Sequence, residues 1–187
     1  MSPIEVIFGS LLVVFIFIGV VRGYPKELGV TVTVLVALYL LIKIDQRQAA
    51  VVSYLGRALG LLGVELADEL TRKLVLFSLY TLFLVVMVFI AYEGITLEFP
   101  GVRPKGPSGT LLNVGSGLLN GYLVLGTIWY YLDKFEYPTQ VIGLFKSPLT
   151  GFAKSVIPLL PQYLLGDRAE WYFLGFLLLL LILRVVR

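Results

Sequence analysis

The chain has 187 residues, 58% of them hydrophobic and 14% charged, with a formal net charge of +3 and a mean hydropathy of +0.93. These values exclude a soluble globular core and describe a polytopic membrane protein with room for one domain; so small a net charge argues against a nucleic-acid surface. Cysteine and histidine are both absent, which removes disulfide and thiol chemistry, the commonest ligand for haem, chlorophyll or zinc, and the usual catalytic base.

The N-terminus has no basic stretch ahead of its first apolar run and no small-residue cleavage site after it, so the first span is expected to stay in the mature protein. That span covers residues 4–21. Glu5 lies in its opening turn, where a carboxylate suits the positive end of the helix dipole. It reads either as an exposed helix-start charge or as a partner for a basic group near the membrane face.

A short turn follows, with Arg22 at the end of the first helix and Gly23 suited to a left-handed helix stop. Pro25 fits the start of the next helix and Glu27 its first turn. Gly19 and Gly23, four apart, allow close packing of the hairpin. The turn reads as plain capping, or as an ion-paired cluster of Arg22, Lys26 and Glu27 at the membrane boundary that recognises a lipid headgroup or a partner. Residues 28–42 form the second span, so short that flanking residues must complete the crossing.

Residues 43–73 are polar at both ends. Val51, Val52, Leu55, Ala58, Leu59, Leu62, Leu66 and Leu70 recur at helical spacing, which predicts an amphipathic helix lying in the interface. Glu65, Glu69 and Lys73, and Asp68 with Arg72, are spaced for intrahelical ion pairs rather than for a metal site. The third span is 74–91. In the loop 92–110, Pro100, Pro104 and Pro107 alternate with glycines, which is turn chemistry. Its segment 105–110 lacks the Gly-Lys-Ser/Thr ending and the preceding strand of a phosphate loop.

Residues 111–132, the fourth span, carry no charge. At 100° per residue Asn113, Asn120 and Thr127 share a face, flanked by Ser116 and Gly117 with Gly121 at its edge. Gly117 and Gly121 form a GxxxG pair. Apolar burial gives little drive between helices in lipid, so close backbone approach and interhelical hydrogen bonds must hold them together. Asn113, Ser116, Gly117, Asn120 and Gly121 are therefore the predicted helix-packing residues, and this helix the spine on which other spans dock. Beyond it, Pro158 and Pro161 interrupt the apolar stretch 156–165, which predicts a broken helix on the membrane surface. Residues 171–183 form a short fifth span, with Trp171 and Tyr172 at one end and Arg184 and Arg187 at the other as interfacial anchors.

Three features together resemble the CvpA (colicin V production protein) family of bacterial inner-membrane proteins. These are the acidic residue opening the first span at Ile4-Glu5, the turn Arg22-Gly23-Tyr24-x-Lys26-Glu27, and the four-spaced run Asn113, Gly117, Gly121. The segment 146–165 also resembles the family's Ser- and Pro-containing tail. The resemblance covers residues 1–165; residues 166–187 are an additional short C-terminal transmembrane helix. Members usually carry Asp-Arg ahead of the glycine run and Arg before its last glycine. Here Gly109, Thr110 and Asn120 stand in those places, with Asn120 offering a hydrogen bond instead of a charge.

The expected fold is all-α: a polytopic integral membrane protein with four to five transmembrane helices and an interfacial amphipathic helix. The resemblance implies a multi-pass protein of the inner (cytoplasmic) membrane, in a family with no settled biochemical activity. Basic-residue counting places the N-terminus in the cytoplasm, whereas the family pattern places the 22–27 turn there. The expected function is that of a non-catalytic scaffold or envelope-associated factor acting through helix packing, with no cofactor. Its partners would be the bilayer and other membrane chains or further copies of itself. An accessory subunit of a larger respiratory or photosynthetic complex is an alternative. Another is a small channel or transporter component, with Asn113, Ser116 and Asn120 lining a polar path.

Overall fold

The computed structural model describes residues 4–61, 68–94, 99, 106–145 and 149–185, which are predominantly helical, with no strand among them. Among the described residues eight α-helices run in chain order: α1 Ile4–Arg22, α2 Tyr24–Asp45, α3 Gln48–Gly60, α4 Glu69–Glu93, α5 Pro107–Lys134, α6 Gly151–Val156, α7 Pro161–Leu165 and α8 Ala169–Val185. Four of them, α1, α2, α4 and α5, are long and apolar enough to cross a membrane. This is the all-α architecture of a membrane protein. α8, at 17 residues, is about 25 Å long at 1.5 Å per residue, short against a hydrocarbon core of roughly 30 Å.

The centre of the bundle is α2, packed against α4, α5 and α8. Its Val30, Val34, Leu35, Leu38 and Leu41 are enclosed on all sides, as expected of a helix that is apolar all round. α8 lays a stripe of Ala169, Phe173, Leu177 and Leu180 into this core, four residues at helical spacing on one face. The outer faces of α1 and α4 expose Val14, Phe17, Val21, Leu82, Val86 and Phe89, side chains that suit lipid or another span.

Several boundaries differ from those the apolar runs suggest. α2 extends past 28–42 at both ends, as so short an apolar run requires: Pro25 and Glu27 stand in its first turn as expected, and Lys43 to Asp45, assigned to the following stretch, continue it. The 43–73 stretch is not one interfacial helix. α3 stops at Gly60, and residues 69–73 belong to α4, whose start is fixed by Asp68. The Asp68 carboxylate accepts from the Thr71 backbone N–H and hydroxyl, both at 2.9 Å, and these bonds hold its pKa below the ordinary carboxylate value. Asp68 is thus a cap rather than half of a pair with Arg72. Glu69 and Lys73 do pair, at 2.8 Å, and Lys73 also reaches Glu136 at 2.6 Å. In α3, Val51, Val52, Leu55 and Leu59 are half-buried while Ala58 is exposed; Leu62, Glu65 and Leu66 lie outside the described residues. So do Pro100, Pro104 and Lys105, whereas Pro107 already belongs to α5.

α1 and α5 approach backbone to backbone. A Cβ on Gly19 would lie 2.6 Å from the Asn113 carbonyl oxygen and 2.7 Å from Gly117 Cα; one on Gly117 would lie 2.5 Å from the Phe15 carbonyl oxygen. Gly19 therefore packs on α5 and not, as its spacing from Gly23 suggests, within the α1–α2 hairpin. The two backbones touch, and only glycine fits there. The 156–165 segment is broken as expected, α6 ending at Val156 and α7 opening at Pro161. It docks along the flank of α5 with Leu160, Pro161 and Gln162 buried, because Gly126 leaves a notch for the Pro161 ring.

Gly115 offers an internal control, since a Cβ there meets nothing within 4 Å. Gly117→Ala is expected to destabilise the chain by about 1–3 kcal/mol through overpacking. Gly115→Ala should be neutral or stabilising by up to about 1 kcal/mol through helix propensity. Reversible unfolding in mixed detergent micelles measures both.

Candidate functional site

The strongest concentration of buried polarity lies where α1 ends and α2 begins. Gly23 takes φ 85° and ψ 149°, a conformation open to glycine, and reverses the chain between the two helices. Arg22 on the last turn of α1 then faces Glu27 on the first turn of α2, Nε to Oε1 at 3.2 Å. Glu27 is completely enclosed, at 0% exposure. A carboxylate so placed requires compensation, and two further side chains, from α4 and α5, donate hydrogen bonds to it.

The Tyr92 hydroxyl, from the last turn of α4, donates to Glu27 Oε2 at 3.0 Å. Asn120, midway along α5, donates from Nδ2 to the same oxygen at 2.8 Å and to the Glu27 carbonyl at 3.0 Å. Its Oδ1 lies 2.7 Å from the Thr31 hydroxyl, which is also 2.9 Å from the Glu27 carbonyl. Arg22 closes the circuit: Nη1 donates to the Tyr92 carbonyl at 2.9 Å, and the guanidinium sits 4.8 Å from the centre of the Tyr92 ring. Asn113 adds a cap from another helix. Its Oδ1 accepts the Tyr24 N–H at 2.8 Å, one of the unpaired donors at the start of α2. Lys26 lies half-buried on the same turn.

The seven-residue stripe of α5 thus serves several neighbours. Asn113 and Asn120 bond to α2. Gly117 and Gly121 face α1, with Gly121 covered by Leu12 and Phe15, while Ser116 is buried and turns its hydroxyl back to the Asn113 carbonyl at 3.0 Å. Thr127 donates to the Leu123 carbonyl at 2.6 Å and accepts from Gln162 Nε2 on α7 at 2.8 Å. Glu5 lies at the other end of α1, apart from this cluster. It accepts from the Thr150 hydroxyl at 2.5 Å, so its observed partner is neutral rather than basic. It borders an apolar cleft of about 320 Å³ between α1, α5 and α6.

Two members of the cluster escape sequence reasoning. Tyr92 reads as the first loop residue, although it stands in the last turn of α4. Thr31 reads as one polar residue in an apolar span; its spacing of four from Glu27 is the signal that places both on one face. Chemically the cluster is turned inward: its carboxylate, guanidinium, phenol and carboxamide engage one another, with Arg22 Nε and Glu27 Oε1 in ionic contact and not hydrogen-bonded, which suits holding helices together. No family model, curated protein or solved structure matches the chain.

Removing one member should expose the cost of the others. Arg22→Met leaves the enclosed Glu27 carboxylate without its cation and is expected to cost about 3–5 kcal/mol. Arg22→Met combined with Glu27→Gln should cost clearly less than the sum of the two single changes. A double-mutant unfolding cycle checks this; additivity within about 0.5 kcal/mol would show that the pair is not coupled.

Proposed function

We propose that the chain is a CvpA-like protein of the bacterial inner membrane that acts as a non-catalytic scaffold, presenting a rigid helical framework to other membrane chains. The observation that carries this reading is the inward-turned polar cluster around Glu27. It joins α1, α2, α4 and α5 at one end and commits the strongest polar groups in the bundle to internal bonding. A frame so fixed keeps its outer surface in one shape, and that surface is broad and apolar along α1 and α4. The resemblance at Arg22–Glu27 and at the glycine run supports the family assignment, since those two motifs meet where Asn113 Oδ1 accepts the Tyr24 N–H. The absence of histidine and cysteine from the sequence supports the non-catalytic part.

The same geometry weighs against the channel alternative. Asn113 and Asn120 spend their amide groups on Tyr24, Glu27 and Thr31, and Ser116 turns back on its own helix. Membership of a respiratory or photosynthetic complex is a special case of the scaffold reading, with the partner class specified.

Purification from native membranes in mild detergent tests the proposal. The chain is expected to run in a particle larger than one copy, with defined membrane chains or further copies retained. Bulky polar substitutions on the exposed face, such as Phe17→Gln with Phe89→Gln, should release those partners without lowering the stability of the bundle. A lone monomer under the gentlest conditions would overturn it.

A further inference from the structure

A second polar site lies at the opposite end of the bundle, where α2 and α5 finish and α8 begins. There a pocket of about 350 Å³, within the usual range for small-ligand sites of roughly 300–1,000 Å³, opens between α2, α5, α7 and the start of α8. Its charged lining is acidic: Asp45, Asp167 and Glu170. Asp45 pairs with Lys134, and Glu170 with Lys43 at 2.6 Å. Asp167 is exposed and has no ion pair among the described residues, so the pocket retains an excess negative charge. Tyr130, Tyr131 and Tyr163 form an aromatic wall, with the Tyr130 and Tyr163 rings 4.8 Å apart.

Two acceptors in this wall have no partner. Gln162 is 6% exposed. Its Nε2 is fixed by Thr127, whose own proton goes to the Leu123 carbonyl, so the carboxamide orientation is determined and Oε1 is left without a hydrogen bond. Asp45 Oδ2 is held by Lys134 while Oδ1 has no hydrogen bond. Buried acceptors left open are rare; the Tyr131 hydroxyl in the same lining is also without a partner and can accept as well as donate. Two open acceptors beside one acidic, aromatic pocket match a cation that donates hydrogen bonds.

We propose that this pocket binds a primary ammonium group, with Asp167 and Asp45 supplying charge, the tyrosine wall supplying cation–π contact, and Gln162 Oε1 accepting an N–H. A quaternary ammonium satisfies the charge and the rings but has no proton for either acceptor. A metal ion is a poorer match, since no group of three or more His, Cys, Asp or Glu side chains is arranged to hold one among the described residues. The pocket's place at the helix ends suits the ethanolamine headgroup of a phospholipid, and the same chemistry is offered by a soluble amine.

The test uses the full chain in phosphatidylcholine nanodiscs and follows thermal unfolding, which a ligand of the folded state shifts upward. One arm adds ethanolamine or putrescine at constant ionic strength, with tetramethylammonium as the comparison. The other replaces part of the phosphatidylcholine by phosphatidylethanolamine. A saturable rise in Tm with soluble amine identifies a free amine; a rise only in the second arm identifies the headgroup. In either case Asp167→Asn, on the surface, and Gln162→Leu should weaken the response about tenfold, as for one hydrogen bond to a charged group. Equal stabilisation by tetramethylammonium, no response in either arm, or a response unchanged in both variants overturns the proposal.

Discussion

Glu27 is a carboxylate that water does not reach, in a bundle whose other interior surfaces are almost entirely apolar. Taking such a group out of water costs several kcal/mol even after relaxation, and in a membrane the surrounding lipid offers no hydrogen bonds to offset it. The chain meets that cost with one cation, one phenol and one carboxamide drawn from three other helices. Each partner is therefore constrained in position by the same two oxygens. Arg22 must close α1, Tyr92 must close α4, and Asn120 must lie midway along α5. The arrangement of four helices at this end follows from satisfying one buried acid.

The contact between α1 and α5 is the other half of the constraint. Asn120 reaches Glu27 only if α5 lies close to the α1–α2 turn, and the glycines at 19 and 117 permit that approach by letting backbone meet backbone. Small residues and polar groups thus act in sequence along one helix: glycines set the distance and asparagines use it. Dispersion over the touching backbones and hydrogen bonding at the asparagines are the forces available between helices in lipid, and α5 places both within a few turns.

Much of this was legible in the residues. Apolar runs located the four long helices, since length and hydropathy alone decide that question. The period-seven stripe of Asn113, Asn120 and Thr127 marked α5 as a packing helix because polar side chains in a span must find partners. Which partner each would find was not legible. Glu27 obeys the dipole rule for a first-turn carboxylate and also serves as a buried ion-pair member, and sequence cannot separate those roles without knowing what lies across from it. Gly19 could serve either the hairpin or α5, and only the three-dimensional approach decides. How far charged residues continue a helix, as at Lys43 and Asp45, is not legible in the apolar run, because hydropathy reports the lipid-compatible part and not the hydrogen-bonded part. The docking of Pro161 against Gly126 rests on a long-range fit that local pattern does not encode.

The claim that one carboxylate organises four helices is tested most directly by amide hydrogen exchange on the reconstituted chain, comparing wild type with Glu27→Gln. The account predicts that protection falls together at the end of α1, the start of α2, the end of α4 and the middle of α5, while the opposite end, held by Asp45 with Lys134 and Lys43 with Glu170, keeps its protection. A loss confined to the residues flanking position 27, with α4 and α5 unchanged, would contradict it.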